Sequence, residues 1–225
     1  GVRESSVPLS YLDAAQQPVG YHIAICNRIV DAIKAHLKLP ALRVLHQTVT
    51  SQNRIPLVTN GTVDLECGST TNNEARGRQV AFAPTTFVTR VRMAVKKSSG
   101  IASLAQLDGK PVATTTGTTS VALMRAHEKG KAVDFKEVYG KDHADSFLML
   151  ETDRAVAFVM DDNLLAGLIA TSKTPDAYAI VGDGPRIFIQ KVPEPKTAKN
   201  RLHIDVHSNA GGPDQPKDWD VMRAK

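Results

Sequence analysis

Apolar positions in residues 20–38 fall at Ile23, Ile25, Ile29, Val30, Ile33 and Leu37, a near-helical spacing that ends before Pro40 and predicts a helix packed on a sheet. Residues 43–48 then read as a strand and 54–60 as a short helix stopped by Gly61. Residues 62–67 read as a second strand that runs into the polar stretch 68–73. Residues 80–97 form a long β-prone stretch broken near Pro84, of the kind that crosses between lobes. The pattern then restarts, with strands at 111–115, 133–139 and 155–160 alternating with helices at 118–127, 143–151 and 163–170. This rhythm predicts an α/β fold built in two series. After Gly182 the texture changes to strand-like 186–192, a Pro-rich link at 193–200, a strand at 201–207 and a Gly/Pro-rich end with the single tryptophan, Trp219.

Composition narrows the class. The 225 residues, 42% of them hydrophobic, suffice for one large domain or two small lobes. Apolar runs such as Val156 to Met160 are far shorter than the roughly 18–20 residues of a spanning helix, so a soluble chain is expected. No leader is visible at Gly1, where Val2 already reads as part of a strand. A net charge of +5 suits an anionic partner. The Lys and Arg residues are scattered singly or in pairs with few aromatics between them, which argues against nucleic acid. Cys26 and Cys67 allow one disulfide but no zinc site, and packing as buried free thiols is the simpler expectation.

Five constellations carry candidate chemistry. Gly68-Ser69-Thr70-Thr71-Asn72-Asn73 and Thr114-Thr115-Thr116-Gly117-Thr118-Thr119-Ser120 are both hydroxyl-rich strand-to-helix turns, at equivalent places in the two series. Such turns either cap a helix with their own side chains or hold a carboxylate on its free N–H groups. Neither has the spacing or the lysine of a nucleotide phosphate loop. Arg3, followed by Glu4, Ser5 and Ser6, and Arg92 on the crossing stretch supply guanidiniums suited to bidentate carboxylate recognition. Lys141-Asp142-His143-Ala144-Asp145-Ser146 opens a helix, and Asp161-Asp162 ends a strand where a carboxylate can pair with an ammonium. Taken singly, His143 reads as a helix-start surface residue and the two aspartates as helix caps. No GxSxG elbow or Cys/His nucleophile signature is present, and no enzymatic activity is expected.

With these motifs in view, the chain resembles the periplasmic glutamate/aspartate-binding proteins of polar amino-acid ABC transporters, within the type II solute-binding superfamily. The stretches that carry the likeness are GVRESSVPLSY, VGYHIAICNRIVDAI, TSQNRIPLVTNGTVDLECGSTTNNEAR, TTTGTTS, GKDHADSF and RAVAFVMDDNLLAG, within residues 1–182. The resemblance implies a two-lobed α/β protein that closes a cleft on L-glutamate or L-aspartate and presents it to membrane permease subunits. It implies a periplasmic monomer with no cofactor. It places the ligand's α-carboxylate on Arg92, Thr118 and the turn at Ser69 and Thr70, the ammonium on Asp161, and the side-chain carboxylate on Arg3 and His143.

The expected organisation is a first lobe at 1–90, a second at 91–183 and a divergent β-rich tail at 184–225, where the return crossing strand is not recognisable. Residues 184–206 are similar to part of a glyoxalase-like domain of the vicinal oxygen chelate superfamily. His203, Asp205 and His207 would share one strand face there, so a metal-dependent activity is the alternative function. A non-transport amino-acid sensor using the same cleft is another.

Overall fold

The computed structural model describes residues 1–130 and 133–182, all within the compact unit Gly1–Gln190. The readings made for residues 183–225, including His203, Asp205 and His207, lie outside the described residues.

The first series is built on residues 1–3. The Val2 amide donates to the Gln47 carbonyl and the Val49 amide to that of Val2, a parallel bridge between Val2 and Thr48. On the other side, the Gly1 amino group donates to the Leu65 carbonyl and the Cys67 amide to that of Gly1. Residues 43–48 and 62–67, expected as strands, thus pair with the chain start through a few bonds each rather than as full ladders. A meander follows: β1 (Ser5–Ser6), β2 (Ser10–Leu12) and β3 (Pro18–Val19), antiparallel throughout.

Helix α1 (Tyr21–Leu37) matches the apolar period, yet only Ile23 in it is buried, and Ile33 and Leu37 stay exposed. Its amino-terminal half packs beside Val2 and Cys67, and among the described residues no strand runs under the rest. Short helices α2 (Arg54–Thr59) and α3 (Glu74–Gly77) complete this part. The expected free thiols are instead a disulfide, Cys26–Cys67, with Cα atoms 6.2 Å apart. Packing of α1 against residues 65–67 brings the two within the reach of a disulfide.

The second series forms a five-stranded sheet. Its elements are β4 (Val91–Lys96), β5 (Pro111–Thr115), α4 (Thr119–Gly130), β6 (Lys136–Gly140), α5 (His143–Glu151), β7 (Ala157–Asp161), α6 (Asp162–Thr171) and β8 (Tyr178–Val181). The strand order is β6-β5-β7-β4-β8, with β4 antiparallel to its neighbours and β5 parallel to β6 and β7. Only 91–96 of the expected long strand at 80–97 is a strand.

Period-two alternation sorts the side chains into two cores. Met93, Val95, Val112, Ala157 and Val159 meet Met124 of α4 on one face. Ala94, Ala113, Phe158 and Met160 meet Phe147 and Leu150 of α5 and Leu164, Leu165 and Leu168 of α6 on the other. Strand β7, buried along its whole length, is the apolar run that a strand covered on both faces requires. From β5 the connection to β6 runs one way along the sheet, whereas β7 lies on its other side. The crevice at the carboxyl ends of β5 and β7 is therefore the switch point where open α/β sheets bind ligands.

The disulfide closes a loop with a sequence separation of 41, for which chain entropy gives about 4 kcal/mol of stabilisation. A Cys26→Ser, Cys67→Ser double variant should melt roughly 10 °C lower than the oxidised protein. Reductant should lower the wild-type melting temperature toward the variant's and leave the variant's unchanged in scanning calorimetry.

Candidate functional site

Three arginines from the first series gather beside the switch point. Arg3 is fully buried, extending from the bridge at Val2, and none of its three guanidinium nitrogens has a hydrogen-bond partner. Arg54, at the start of α2, is 3% exposed, and its Nε and Nη1 are likewise unanswered. Burial presses both below their ordinary basicity, Arg54 to about 9, with Arg3 and Arg76 acting on Arg54 in the same direction and Glu66 opposing. Arg76 of α3, also pulled down by burial, donates from Nη1 to the Thr71 carbonyl at 3.0 Å and from Nη2 to the Gly117 carbonyl at 3.1 Å. It thereby spans the two hydroxyl turns. The ion pairs among the described residues are Arg78–Glu74, Lys96–Asp153 and Arg125–Glu137, so Arg3, Arg54 and Arg76 are in none of them.

The first hydroxyl turn is held from below. His22 of α1 bonds through Nδ1 to the Gly68 carbonyl, and the disulfide fastens Cys67. Ser69 Oγ lies 3.2 Å from Ser6 Oγ, and Thr70 donates to Glu66 Oε2 at 2.9 Å. Asn73 caps α3 by accepting from the Arg76 amide at 2.9 Å, which aims the Arg76 helix turn.

The second series contributes neutral donors and carboxylates. At Gly117 (φ 79°) the turn presses so closely on the first series that a Cβ would sit 2.7 Å from Gln52 Cα. Thr118 donates to the Thr115 carbonyl at 2.8 Å, closing that turn. Nearby, Ser51 Oγ is buried without a partner. His143, 1% exposed, is no surface residue. Its Nδ1 lies 2.9 Å from Thr115 Oγ1, which lies 2.8 Å from Ser146 Oγ, while Nε2 has no partner. Burial, then Arg3 and Arg54, hold the imidazole well below its usual value, so it is neutral at pH 7. Asp142 caps α5 through the Ala144 amide at 2.8 Å and accepts from Ser5 Oγ, joining the two series.

Asp161, expected to be either a cap or a ligand group, occupies the N-cap position of α6 without a capping side-chain bond. Burial, reinforced by Asp162, raises its carboxyl to about 6 against the pull of Arg54 and Arg76.

Of the residues singled out in the sequence, Arg3, His143 and Asp161 thus share one electrostatic cluster, with the turns of Ser69, Thr70 and Thr118 against it. Arg92 is not brought to it. That side chain lies on β4 and donates from Nε to the Gly182 carbonyl at 3.0 Å. Arg54, Arg76, Ser51 and Glu66 were missed by the sequence reading. The available signal was an arginine within each short helix, first in α2 and third in α3, which reads equally as a solvated face. Among the described residues no group of three His, Cys, Asp or Glu converges to hold a metal.

The chain is 48% identical over 189 residues to the L-glutamate/L-aspartate-binding protein of Pseudomonas aeruginosa, covering 84% of this chain and 62% of that protein. It is 50% identical over 182 residues to the glutamate/aspartate import solute-binding protein of Escherichia coli, covering 81% and 60%. The chain therefore spans about three fifths of the length of these relatives. Among solved structures, an ancestral arginine-binding protein bound to arginine superposes with a TM-score of 0.69 at 23% identity, covering 80% of this chain and 78% of that one. The cysteine-binding protein of Campylobacter jejuni gives 0.71 at 23% identity, covering 82% and 72%. The fold is thus that of the two-lobed amino-acid-binding proteins, as the resemblance implied. A family model matches residues 1–200, and the chain belongs to the bacterial extracellular solute-binding proteins, family 3.

Proposed function

We propose that this chain binds an acidic L-amino acid, glutamate or aspartate, between lobes at 1–90 and 91–183, and delivers it in the bacterial periplasm to the permease of an ABC importer, with no reaction on the ligand. The observation that carries this reading is the pair of buried guanidiniums, Arg3 and Arg54, with unanswered donors. A buried ion costs several kcal/mol and each unmet buried donor roughly 1–3 kcal/mol, a cost that an entering carboxylate would offset. Solved structures of the same fold include arginine-binding proteins with arginine bound, but a cationic side chain would add to the repulsion in this cluster. The names of the relatives at 48% and 50% identity point to glutamate and aspartate.

The charge layout orients the ligand. An amino acid carries its ammonium and α-carboxylate on one carbon, so the head group needs a carboxylate beside a guanidinium. Asp161 is the foremost charge acting on Arg76, and these two suit that role, with the N–H groups and hydroxyls of the turns at Ser69, Thr70 and Thr118 around them. Arg3, Arg54 and His143 are mutual neighbours at the other end and suit the side-chain carboxylate. Thr115 Oγ1 occupies His143 Nδ1, so Nε2, buried without a partner, is the ring nitrogen left to the ligand. Arg76 thus takes the part that the sequence reading assigned to Arg92.

Titration calorimetry with L-glutamate and L-glutamine separates the two ends. Arg76→Ala should weaken both ligands by roughly 100-fold or more, whereas Arg3→Ala or Arg54→Ala should cost glutamate at least about 30-fold and glutamine only a few-fold. Equal losses for both ligands in all three variants would refute the division, and no binding of either acidic amino acid to the wild type would refute the function.

Affinity should also depend on pH through Asp161. Its folded value is raised, so below about 6 the ligand-free protein holds a proton there that stabilises it. An incoming ammonium requires the ionised form, so binding expels that proton. Affinity should be flat above pH 7 and fall by up to roughly tenfold per unit between pH 6 and 5, where glutamate's own side chain is still mostly ionised. Asp161→Asn should bind more weakly and show no such slope.

A further inference from the structure

Glu66 has a part in this cluster that packing does not explain. Its Oε1 is buried without a hydrogen-bond partner, while Oε2 accepts only from the Thr70 hydroxyl at 2.9 Å. The carboxylate is kept beside Arg3 by Gly68. A Cβ at Gly68 would overlap Glu66 Oε1 and lie 2.9 Å from Arg3 Cγ, so the missing side chain makes room for the acid and the arginine together. Glu66 is also the foremost opposing charge on Arg3 and Arg54, and it acts on Arg76 as well, yet it forms an ion pair with none of them. A carboxylate built for structure would dock on one of these guanidiniums in a fork. This one is held within electrostatic reach and short of contact, which leaves the guanidinium donors available.

We propose that Glu66 is an internal counter-ion of the arginine cluster that sets its affinity for acidic ligands below the attainable maximum. Before ligand enters, its negative charge offsets part of the repulsion among Arg3, Arg54 and Arg76. Once a ligand carboxylate reaches Arg3 and Arg54, the same charge repels it. Removing the charge therefore makes the ligand-free protein less stable and the liganded one tighter, two effects of one cause. Because Glu66 stands nearest in effect to Arg3 and Arg54, the gain falls on a ligand's side-chain carboxylate and spares an amide. This last step rests on the function proposed above.

The test is Glu66→Gln, which keeps the shape and an acceptor for Thr70. Calorimetric titration should show L-glutamate binding roughly tenfold tighter than to the wild type and L-glutamine changed by less than about twofold. A purely structural role for Glu66 predicts the opposite sign, since disturbing the turn can only loosen binding. Glutamate affinity equal to or weaker than wild type would overturn the proposal. A second readout needs no amino acid: the ligand-free E66Q protein should melt roughly 5 °C below the wild type at low ionic strength, with the gap narrowing in high salt as added anions screen the arginines. An unchanged melting temperature would overturn the proposal even if the wild type bound no acidic amino acid, an outcome that would separately refute the functional reading. If E66Q does not fold, Glu66→Asp withdraws the charge by one methylene and should tighten glutamate about twofold, and no tightening would overturn the proposal.

Discussion

Arg3 and Arg54 are buried cations whose hydrogen-bond donors the protein does not answer, and much else in the structure can be traced to keeping them so. A guanidinium left in this state would be expelled to solvent unless the backbone around it were fixed. Arg3 is fixed because residues 1–3 are bonded on both sides, to residues 47–49 and 65–67. Cys67 is fixed in turn by the disulfide to α1, and Gly68 by His22. Positioning a desolvated charge is a structural expense, and here the core near Val2, Ile23 and Cys67 supplies the rigidity.

The two series bring complementary chemistry to that point. The first supplies the cations, Arg3, Arg54 and Arg76. The second supplies Asp161, the neutral imidazole of His143 and a turn of hydroxyls, all at the carboxyl ends of its strands. Keeping His143 uncharged matters as much as keeping the arginines charged. A fourth cation would deepen the repulsion, whereas a neutral ring can donate one bond without adding charge. Burial and the neighbouring Arg3 and Arg54 enforce the neutral form.

The sheet of the second series was legible in the sequence because its residues obey simple periods. Helix α5 was anticipated over its full range, with Asp142 as the polar residue at its start, and β5 and β7 were marked by apolar runs ending in Thr115 and Asp161. The first series was less legible, since its strands are a few bonds long and Ser5, Ser6 and Ser10 carry no apolar alternation. Arg54 and Arg76 escaped notice because a buried arginine and a solvated one leave the same mark in a sequence; only burial separates them. The role of Arg92 came from the resemblance, and in the structure its guanidinium turns to the Gly182 carbonyl. Cys26 and Cys67 gave no spacing signal, because their proximity is created by helix packing.

The uneven division of charge bears on the order of events in the proposed function. An acidic amino acid carries net negative charge, so the first series, with its three arginines, presents the attractive surface. The second series offers bonds of short range, from hydroxyls, the ring of His143 and Asp161, which act only once the ligand is within contact distance. In the proposed function, ligand would therefore engage the arginines first and the strand-end groups second. Contacts already made between the series are polar, from Ser5 to Asp142 and from Arg76 to the Gly117 carbonyl, and apolar, with Leu9 buried among Phe147, Leu150 and Leu164. They hold the series together without answering Arg3 and Arg54, so in the proposed function the anion supplies the one thing the joined arrangement lacks, a charge opposite to the arginines.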